Sequence, residues 1–66
     1  MQKLGANVRE IRLKKGLSQE ELSYLSDLDM SQIGRIERGK VNTSISILHK
    51  IAVALKIELK ELVDFK

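Results

Sequence analysis

The segment DMSQIGRIERG, residues 29–39, combines two arginines with hydroxyl and amide side chains in a pattern that could contact a polyanion. On a helical wheel of about 100° per residue, Ile33 and Ile36 point to one side. The opposite side and its flanks carry five other side chains: Met30, Ser31, Gln32, Arg35 and Arg38. Guanidinium, hydroxyl and amide groups pair with phosphates and with the edges of bases. The wheel also allows an ordinary solvated surface, because charged outer faces are common on surface helices.

A glycine interrupts this polar face. Gly34 falls on the outward side, between Ser31 and Arg38, where core packing is not expected to require it. In a helix interior exposed to water, glycine costs about 1 kcal/mol relative to alanine. We hypothesise that the missing side chain lets the helix sit deeper in a major groove. The alternative, a glycine that is merely tolerated, stays open.

The composition limits the classes of protein that the chain can belong to. Its 66 residues suffice for one small domain, which we expect to span residues 1–66. Cysteine is absent, which excludes disulfides and a thiolate metal site. No apolar run approaches the roughly 18 residues of a membrane span, and the polar N-terminus does not resemble a signal peptide. We therefore expect a cytoplasmic protein with no membrane partner, cofactor or small-molecule ligand. The net charge of +3 is weak evidence for nucleic acid by itself.

The spacing of apolar residues predicts an all-α chain with five helices. Proline is absent, and apolar residues recur every three or four positions, which is typical of helices. The stripes that define the five helices are, in order, Leu4, Val8 and Ile11; Leu22 and Leu25; Ile33 and Ile36; Ile45, Leu48, Ile51, Ala52 and Leu55; and Leu59, Leu62 and Val63.

Capping residues place the second and third helices very close together in the chain. Ser18 with Glu21 has the spacing of a capping box, and Asp29 with Gln32 repeats it. Only a few residues therefore separate two helices that each bury one face. This spacing predicts a helix-turn-helix over about residues 18–38, with the two helices crossing steeply.

Three segments together resemble one known family. GLSQEEL at residues 16–22 and IGRIERGK at residues 33–40 resemble the helix-turn-helix of the Cro/lambda-repressor (Xre) family. LHKIAVALKIELKELV at residues 48–63 resembles the fourth and fifth helices of that family, so the resemblance runs from Leu4 to Val63. It implies a compact five-helix DNA-binding domain and a sequence-specific transcriptional regulator. Such a regulator binds a palindromic operator as a dimer, here with a recognition helix of about residues 30–38 in the major groove.

The resemblance assigns six side chains to the DNA: Gln19 to a phosphate, Met30, Ser31 and Arg35 to bases, and Gln32 and Arg38 to the neighbourhood of the backbone. Gln19 stands at a helix N-terminus, where free N–H groups favour a phosphate, although it could be a plain surface residue. Arg35 can bind guanine O6 and N7, a contact worth about 1–3 kcal/mol of discrimination, or contact phosphate without sequence content. Met30 could contact a thymine methyl group or pack at the start of the helix.

The resemblance also implies a structural ion pair between Arg12 and Glu37. Arg12 lies beside the apolar stripe of the first helix, and Glu37 lies at the edge of the apolar face of the recognition helix. We interpret the pair as the tie that orients the recognition helix. If both partners are buried, removal of one should cost roughly 3–5 kcal/mol.

The C-terminal third has more apolar side chains than one small core should need. Several of them are expected at the surface, in the interface of a homodimer. The residues in question are Ile47, Ile57, Leu59, Val63 and Phe65. A two-fold dimer would place its recognition helices one DNA turn apart, at about 34–36 Å.

Catalysis is not expected, because the inventory of reactive residues is poor. His49 is the sole histidine, and the chain has no cysteine, clustered carboxylates or glycine-rich phosphate loop. Two alternatives to a sequence-specific regulator stay open, a protein-interaction adaptor and a non-specific nucleic-acid binder with the same fold. Among regulators, the short chain resembles controller proteins of restriction-modification operons, phage-type repressors and antitoxin-like autoregulators.

Overall fold

The computed structural model describes residues 2–40 and 43–64 of the chain. In these two ranges the regular structure consists of five helices: α1 (Gln2–Lys14), α2 (Gln19–Ser26), α3 (Met30–Glu37), α4 (Ile45–Leu55) and α5 (Leu59–Val63). The prediction of an all-α fold with five helices is confirmed. α3 packs between α1 and α2, while α4 contacts α2 and α5.

Local side-chain caps start α2 and α4. At α2 the Glu21 N–H donates to Ser18 Oγ at 3.0 Å, and the Ser18 N–H donates to Glu21 Oε1 at 2.8 Å. The predicted capping box is therefore confirmed. At α4 the Ile47 N–H donates to Ser44 Oγ at 3.2 Å. Each cap satisfies a backbone donor that has no partner within the helix, and losing one typically costs about 1 kcal/mol.

Residues 27–29 form the turn of the helix-turn-helix. Asp27 ends α2 in the left-handed conformation, with φ 58° and ψ 38°. The next residue, Leu28, is buried in the core and donates its N–H to the Ser23 carbonyl at 3.2 Å. α3 then begins after Asp29, whose N–H donates to Gln32 Oε1 at 3.2 Å. The buried leucine in mid-turn ties the connection to the core, so the angle between the two helices is set by packing.

One core joins all five helices. Its buried members are Leu4, Val8, Leu22, Leu28, Ile33, Ile36, Leu48, Ile51, Ala52, Ala54, Leu55 and Leu62. Ile11 packs against this core while remaining partly exposed. The inward direction of α3 was predicted through Ile33 and Ile36, and both side chains are indeed buried.

Three residues predicted to lie in apolar stripes are exposed, and one of them, Val63 at 44%, was also expected in a dimer interface. Leu25 is 52% exposed, because the inward face at the end of α2 is occupied by Ser26, whose Oγ donates to the Leu22 carbonyl at 2.6 Å. Ile45 is 68% exposed. It is the first residue of α4 and lies about 90° from the centre of the buried face on a helical wheel. The predictions that Leu25 and Ile45 line the core are wrong.

α1 crosses the end of α3 at a glycine that the sequence patterns did not single out. A Cβ atom placed on Gly5 would lie 2.1 Å from the Ile36 carbonyl oxygen and 2.7 Å from the Glu37 carbonyl oxygen. These distances are far inside van der Waals contact, and the atoms met are backbone. Gly5 therefore allows the backbone of α1 to rest directly on the last turn of α3.

Two negative findings concern residues 2–40 and 43–64. None of the helices there combines the length and the apolar character that crossing a membrane would need. Within the same ranges, no group of three or more histidine, cysteine, aspartate or glutamate residues could hold a metal ion. His49 is exposed on α4.

The close crossing predicts that Gly5→Ala destabilises the fold. The gain in helix propensity of about 1 kcal/mol is outweighed because α1 and α3 must separate at a cost near the upper end of about 1–3 kcal/mol, for a net loss of up to about 2 kcal/mol in the free energy of unfolding. Urea unfolding followed by circular dichroism measures this difference.

The matched control is Gly34→Ala, the same exchange inside α3. Its added Cβ meets the end of the Arg38 side chain at 3.0 Å, and that flexible group can move aside. We expect the free energy of unfolding to rise by up to about 1 kcal/mol in this variant. Equal stability changes in the two variants would contradict the close approach at Gly5.

Candidate nucleic-acid interface

The outer face of α3 is open and cationic. Ser31 and Arg35 are exposed on α3, and Arg38 is exposed immediately after it. Met30 is also exposed, and Gln32 is partly buried. Among the residues that the structure describes, no carboxylate forms an ion pair with Arg35 or Arg38. Both arginines are therefore exposed without an ion-pairing partner among the described residues, and they can pair with an anionic ligand.

A buried ion pair attaches the end of α3 to α1. Arg12 Nε donates to Glu37 Oε2 at 2.6 Å, and Arg12 Nη2 donates to Glu37 Oε1 at 3.1 Å. The two side chains are 8% and 3% exposed, respectively. The arrangement is bidentate, which fixes the relative orientation of the guanidinium and carboxylate planes. Glu37 is the last residue of α3, so the pair restrains the helix at its C-terminal end.

The ion pair belongs to a larger polar network. Arg12 Nη1 donates to the Leu17 carbonyl at 2.7 Å, and Gln19 Nε2 donates to Glu37 Oε1 at 3.1 Å. The network thus connects α1, the loop before α2, the first residue of α2 and the last residue of α3. Buried charges need such additional hydrogen bonds, because the attraction between two charges alone does not repay their desolvation.

Gln19 lies at the junction between this network and the surface. Its side chain is partly buried, and its amide group donates to Glu37 rather than pointing freely outward. The backbone N–H of Gln19 is in the first turn of α2, where amide groups have no partner within the helix. A phosphate near Gln19 would therefore meet the helix N-terminus, while the side chain connects that position to α3.

Gly34 is buried, although it was predicted to be open to solvent. A Cβ atom on Gly34 would lie 3.0 Å from Arg38 Nη1, 3.7 Å from Cζ and 3.8 Å from Nη2. Side chains on a helix lean toward its N-terminus and cover the residue four positions earlier. Arg38 covers Gly34 in this way. The prediction of an open glycine is wrong because the wheel shows direction but does not show what a long neighbouring side chain covers.

The apolar surface of α4 and α5 differs from the predicted dimer set. Ile47, Ile57 and Leu59 are partly buried and pack against the core of their own chain. Val63 is 44% exposed. Phe65 lies outside the described residues.

The larger exposed apolar side chains of α4 are Ile45 and Val53, the latter 60% exposed. They are eight residues apart, with the exposed His49 midway between them, so the three lie on one side of α4. We name Ile45, His49 and Val53 the α4 stripe. The spacing rules alone did not separate this stripe from the core face, because Ile45 continues the apolar pattern of Leu48, Ala52 and Leu55.

Comparison with known proteins identifies the family. Residues 8–62 match HTH_3, a helix-turn-helix family. The chain belongs to this helix-turn-helix family. The matched region begins in α1 and ends in α5, so it contains the helix-turn-helix and the helices that support it. The Xre-type resemblance inferred from the sequence is confirmed.

Several relatives of this helix-turn-helix chain are controller proteins. Control protein C.BamHI of Bacillus amyloliquefaciens is 45% identical over 62 residues, which cover 92% of this chain and 76% of that protein. The crystal structure of the restriction-modification controller protein C.AhdI from Aeromonas hydrophila is 51% identical, with a TM-score of 0.91 and 92% of each chain covered. The controller protein C.Esp1396I is 35% identical, with a TM-score of 0.85, covering 94% of this chain and 85% of that one. The matched family is a helix-turn-helix family, and its relatives here are controller proteins and an HTH-type transcriptional regulator, SlrR of Bacillus subtilis, rather than enzymes, which confirms the prediction that the chain is not an enzyme.

The buried network predicts a large and specific stability effect at Glu37. Glu37→Gln leaves the Arg12 guanidinium buried without an opposite charge, so we expect the free energy of unfolding to fall by about 3–5 kcal/mol. Replacing both partners by methionine removes both buried charges, and this double variant should recover most of the loss. Urea unfolding of the single and double variants measures both effects.

The control for this experiment is Glu10→Gln. Glu10 Oε1 lies 4.0 Å from Lys14 Nζ in an exposed pair on α1. Exposed pairs contribute little, so the variant should stay within about 0.5 kcal/mol of the parent. If Glu37→Gln were as mild as Glu10→Gln, the buried pair would not be the restraint that holds α3.

Proposed function

We propose that this protein is a sequence-specific DNA-binding transcriptional regulator that places α3 in the major groove. The observation that carries the proposal is the outer face of α3, where Ser31, Arg35 and Arg38 are exposed without an ion-pairing carboxylate in the described structure. A major groove admits one α-helix, and recognition helices of this type contact base edges near their N-terminal end. The helix-turn-helix family and the regulators among its relatives support the proposal.

The residues of the interface divide into base contacts and backbone contacts. Arg35 reads bases, since a bidentate arginine to guanine is the commonest specific contact. Ser31 and Met30 lie within the first turn of the same helix and reach neighbouring bases. Gln32 and Arg38 contact the DNA backbone, and a phosphate lies at the first turn of α2, next to Gln19. The network between Gln19 and Glu37 keeps these two sets of contacts in register.

The protein acts as a homodimer on a palindromic operator. Dimerisation uses the exposed apolar surface of α4 and α5, of which the α4 stripe and Val63 are the open parts. Isolated apolar side chains are normal on a surface, but Ile45 and Val53 are both more than half exposed on one side of α4, which on so small a domain favours a protein interface. Two-fold symmetry would set the recognition helices one DNA turn apart, at about 34–36 Å.

Similarity to C.BamHI and C.AhdI narrows the proposed biological role. Both relatives match this chain over 92% of its length. We therefore propose that it is a controller protein of a restriction-modification operon. This role is favoured over the phage-repressor and antitoxin roles that the sequence left open.

The test of the proposed function is selection of bound duplexes from a random DNA pool, followed by gel-shift titration against selected and scrambled duplexes. We expect a clear preference for the selected duplex. The logarithm of affinity should fall linearly with the logarithm of salt concentration, with a slope of about −0.9 for each phosphate neutralised. An adaptor would shift no duplex, and a non-specific binder would show no preference between duplexes. A flat salt response would contradict DNA binding.

Arg35→Ala separates base reading from general attraction in the same assay. Loss of a bidentate base contact should reduce the preference for the selected duplex by about 1–3 kcal/mol. The matched control is Lys60→Ala, which removes one exposed positive charge from α5. The control should keep the preference of the parent.

The proposed dimer predicts that Val53→Glu produces a monomer. A carboxylate placed on the α4 stripe would be desolvated in the interface, which is costly without a partner. Sedimentation at tens of micromolar protein, with and without the selected duplex, measures the oligomeric state. The control is Tyr24→Glu, which places the same charge on the exposed side of α2. A parent protein that sediments as a monomer under both conditions would refute the dimer.

A further inference from the structure

Gly34 and Arg38 form one unit on the outer face of α3. The Arg38 N–H donates to the Gly34 carbonyl at 3.0 Å, and Arg38 keeps a helical conformation with φ −85° and ψ −2°. The position of Arg38 relative to α3 is therefore set by the helix itself. Its Nη1 atom lies 3.0 Å from the point where a side chain on Gly34 would begin.

A glycine leaves the most room for this contact. At Gly34 the Arg38 guanidinium meets backbone that carries no side chain, so it can approach the helix more closely than a larger residue would permit. With alanine at this position, Nη1 would have to move outward by a few tenths of an ångström, because contacts as short as 3.0 Å to a Cβ atom are rare.

We propose that Gly34 is a positioning residue, which seats the Arg38 guanidinium along the outer face of α3 so that it contacts the phosphate backbone. The proposal rests on the proposed function and adds a role that neither residue has alone. A seated side chain loses less conformational freedom when DNA binds, and each long side chain ordered on binding otherwise weakens association. Gly34 thus lowers the stability of α3 but orients the Arg38 side chain.

A different role for Gly34 makes a different prediction. If the glycine only provides clearance between α3 and the DNA, an added methyl group should weaken binding whether or not Arg38 is present. If the glycine acts through Arg38, its substitution should matter only while the guanidinium is there. A double-mutant cycle distinguishes these two roles.

The experiment measures affinity for the selected duplex with Gly34→Ala in three backgrounds: the parent, Arg38→Met and Arg35→Met. In the parent we expect Gly34→Ala to weaken binding about three- to tenfold, and Arg38→Met to weaken it about tenfold or more. In the Arg38→Met background, Gly34→Ala should change the affinity by less than about twofold. In the matched Arg35→Met background, Gly34→Ala should still weaken binding as much as it does in the parent.

Two outcomes would contradict the proposed positioning of Arg38 by Gly34. One is an equal effect of Gly34→Ala in the parent and Arg38→Met backgrounds, which would indicate clearance. The other is unchanged or tighter binding by Gly34→Ala in the parent. Thermal melting of every variant confirms that it is folded, and we expect Gly34→Ala to melt higher than the parent.

A measurement without DNA separates this inference from the proposed function. Nitrogen-15 relaxation of the arginine Nε groups reports the motion of each side chain on the picosecond to nanosecond timescale. Gly34→Ala should increase the mobility of Arg38 Nε and leave Arg35 Nε unchanged. Unchanged Arg38 mobility would contradict the positioning role of Gly34 even if the protein binds the selected duplex. Failure of the parent to bind any duplex would overturn the proposed function and the phosphate contact. The positioning of Arg38 by Gly34 would then still be tested by the relaxation data alone.

Discussion

The buried pair between Arg12 and Glu37 determines how α3 is presented to the outside. Glu37 ends α3, Arg12 belongs to α1, and both side chains are withdrawn from water. Because desolvated charges tolerate little misalignment, a tilt or shift of α3 would break hydrogen bonds that water could not replace. Gln19 and the Leu17 carbonyl complete the network, so hydrogen bonds also link the start of α2 to the end of α3. The orientation of the outer face is thus controlled from the buried side of the molecule.

The remaining restraint on α3 comes from close packing. A helix of eight residues is too short to be stable in water by itself, so its order must come from tertiary contacts. Ile33 and Ile36 are buried on its inner face, and burial of each such side chain stabilises the fold by about 1.5–3 kcal/mol. Gly5 brings the backbone of α1 against the carbonyls at the end of the helix. These packing contacts involve the inner face and the end of α3. The residue types on the outer face are therefore not dictated by core packing, and this face carries arginines and a glycine.

The features predicted correctly from the sequence are those with local signals. Helix periodicity and the box at Ser18 depend on residues within a few positions of one another, and both are confirmed. The exposure of Leu25 and the requirement for glycine at position 5 depend on which other helix packs against each residue. A helical wheel of one helix carries no information about its neighbours. The cover that Arg38 gives to Gly34 depends on the direction of a long side chain. Pairing of Arg12 with Glu37 spans 25 positions, and it was expected only through the family resemblance.

The most direct test of this account is an amide nitrogen-15 NMR titration of the protein with a duplex selected from a random pool. The central claim is that the outer face of α3, together with the first turn of α2, is the surface that meets DNA. The account predicts that the largest shift changes occur at residues 30–38 and at Gln19, while Tyr24 and Leu25 on the exposed side of α2 change little. Large changes at Tyr24 and Leu25, with residues 30–38 unaffected, would contradict it.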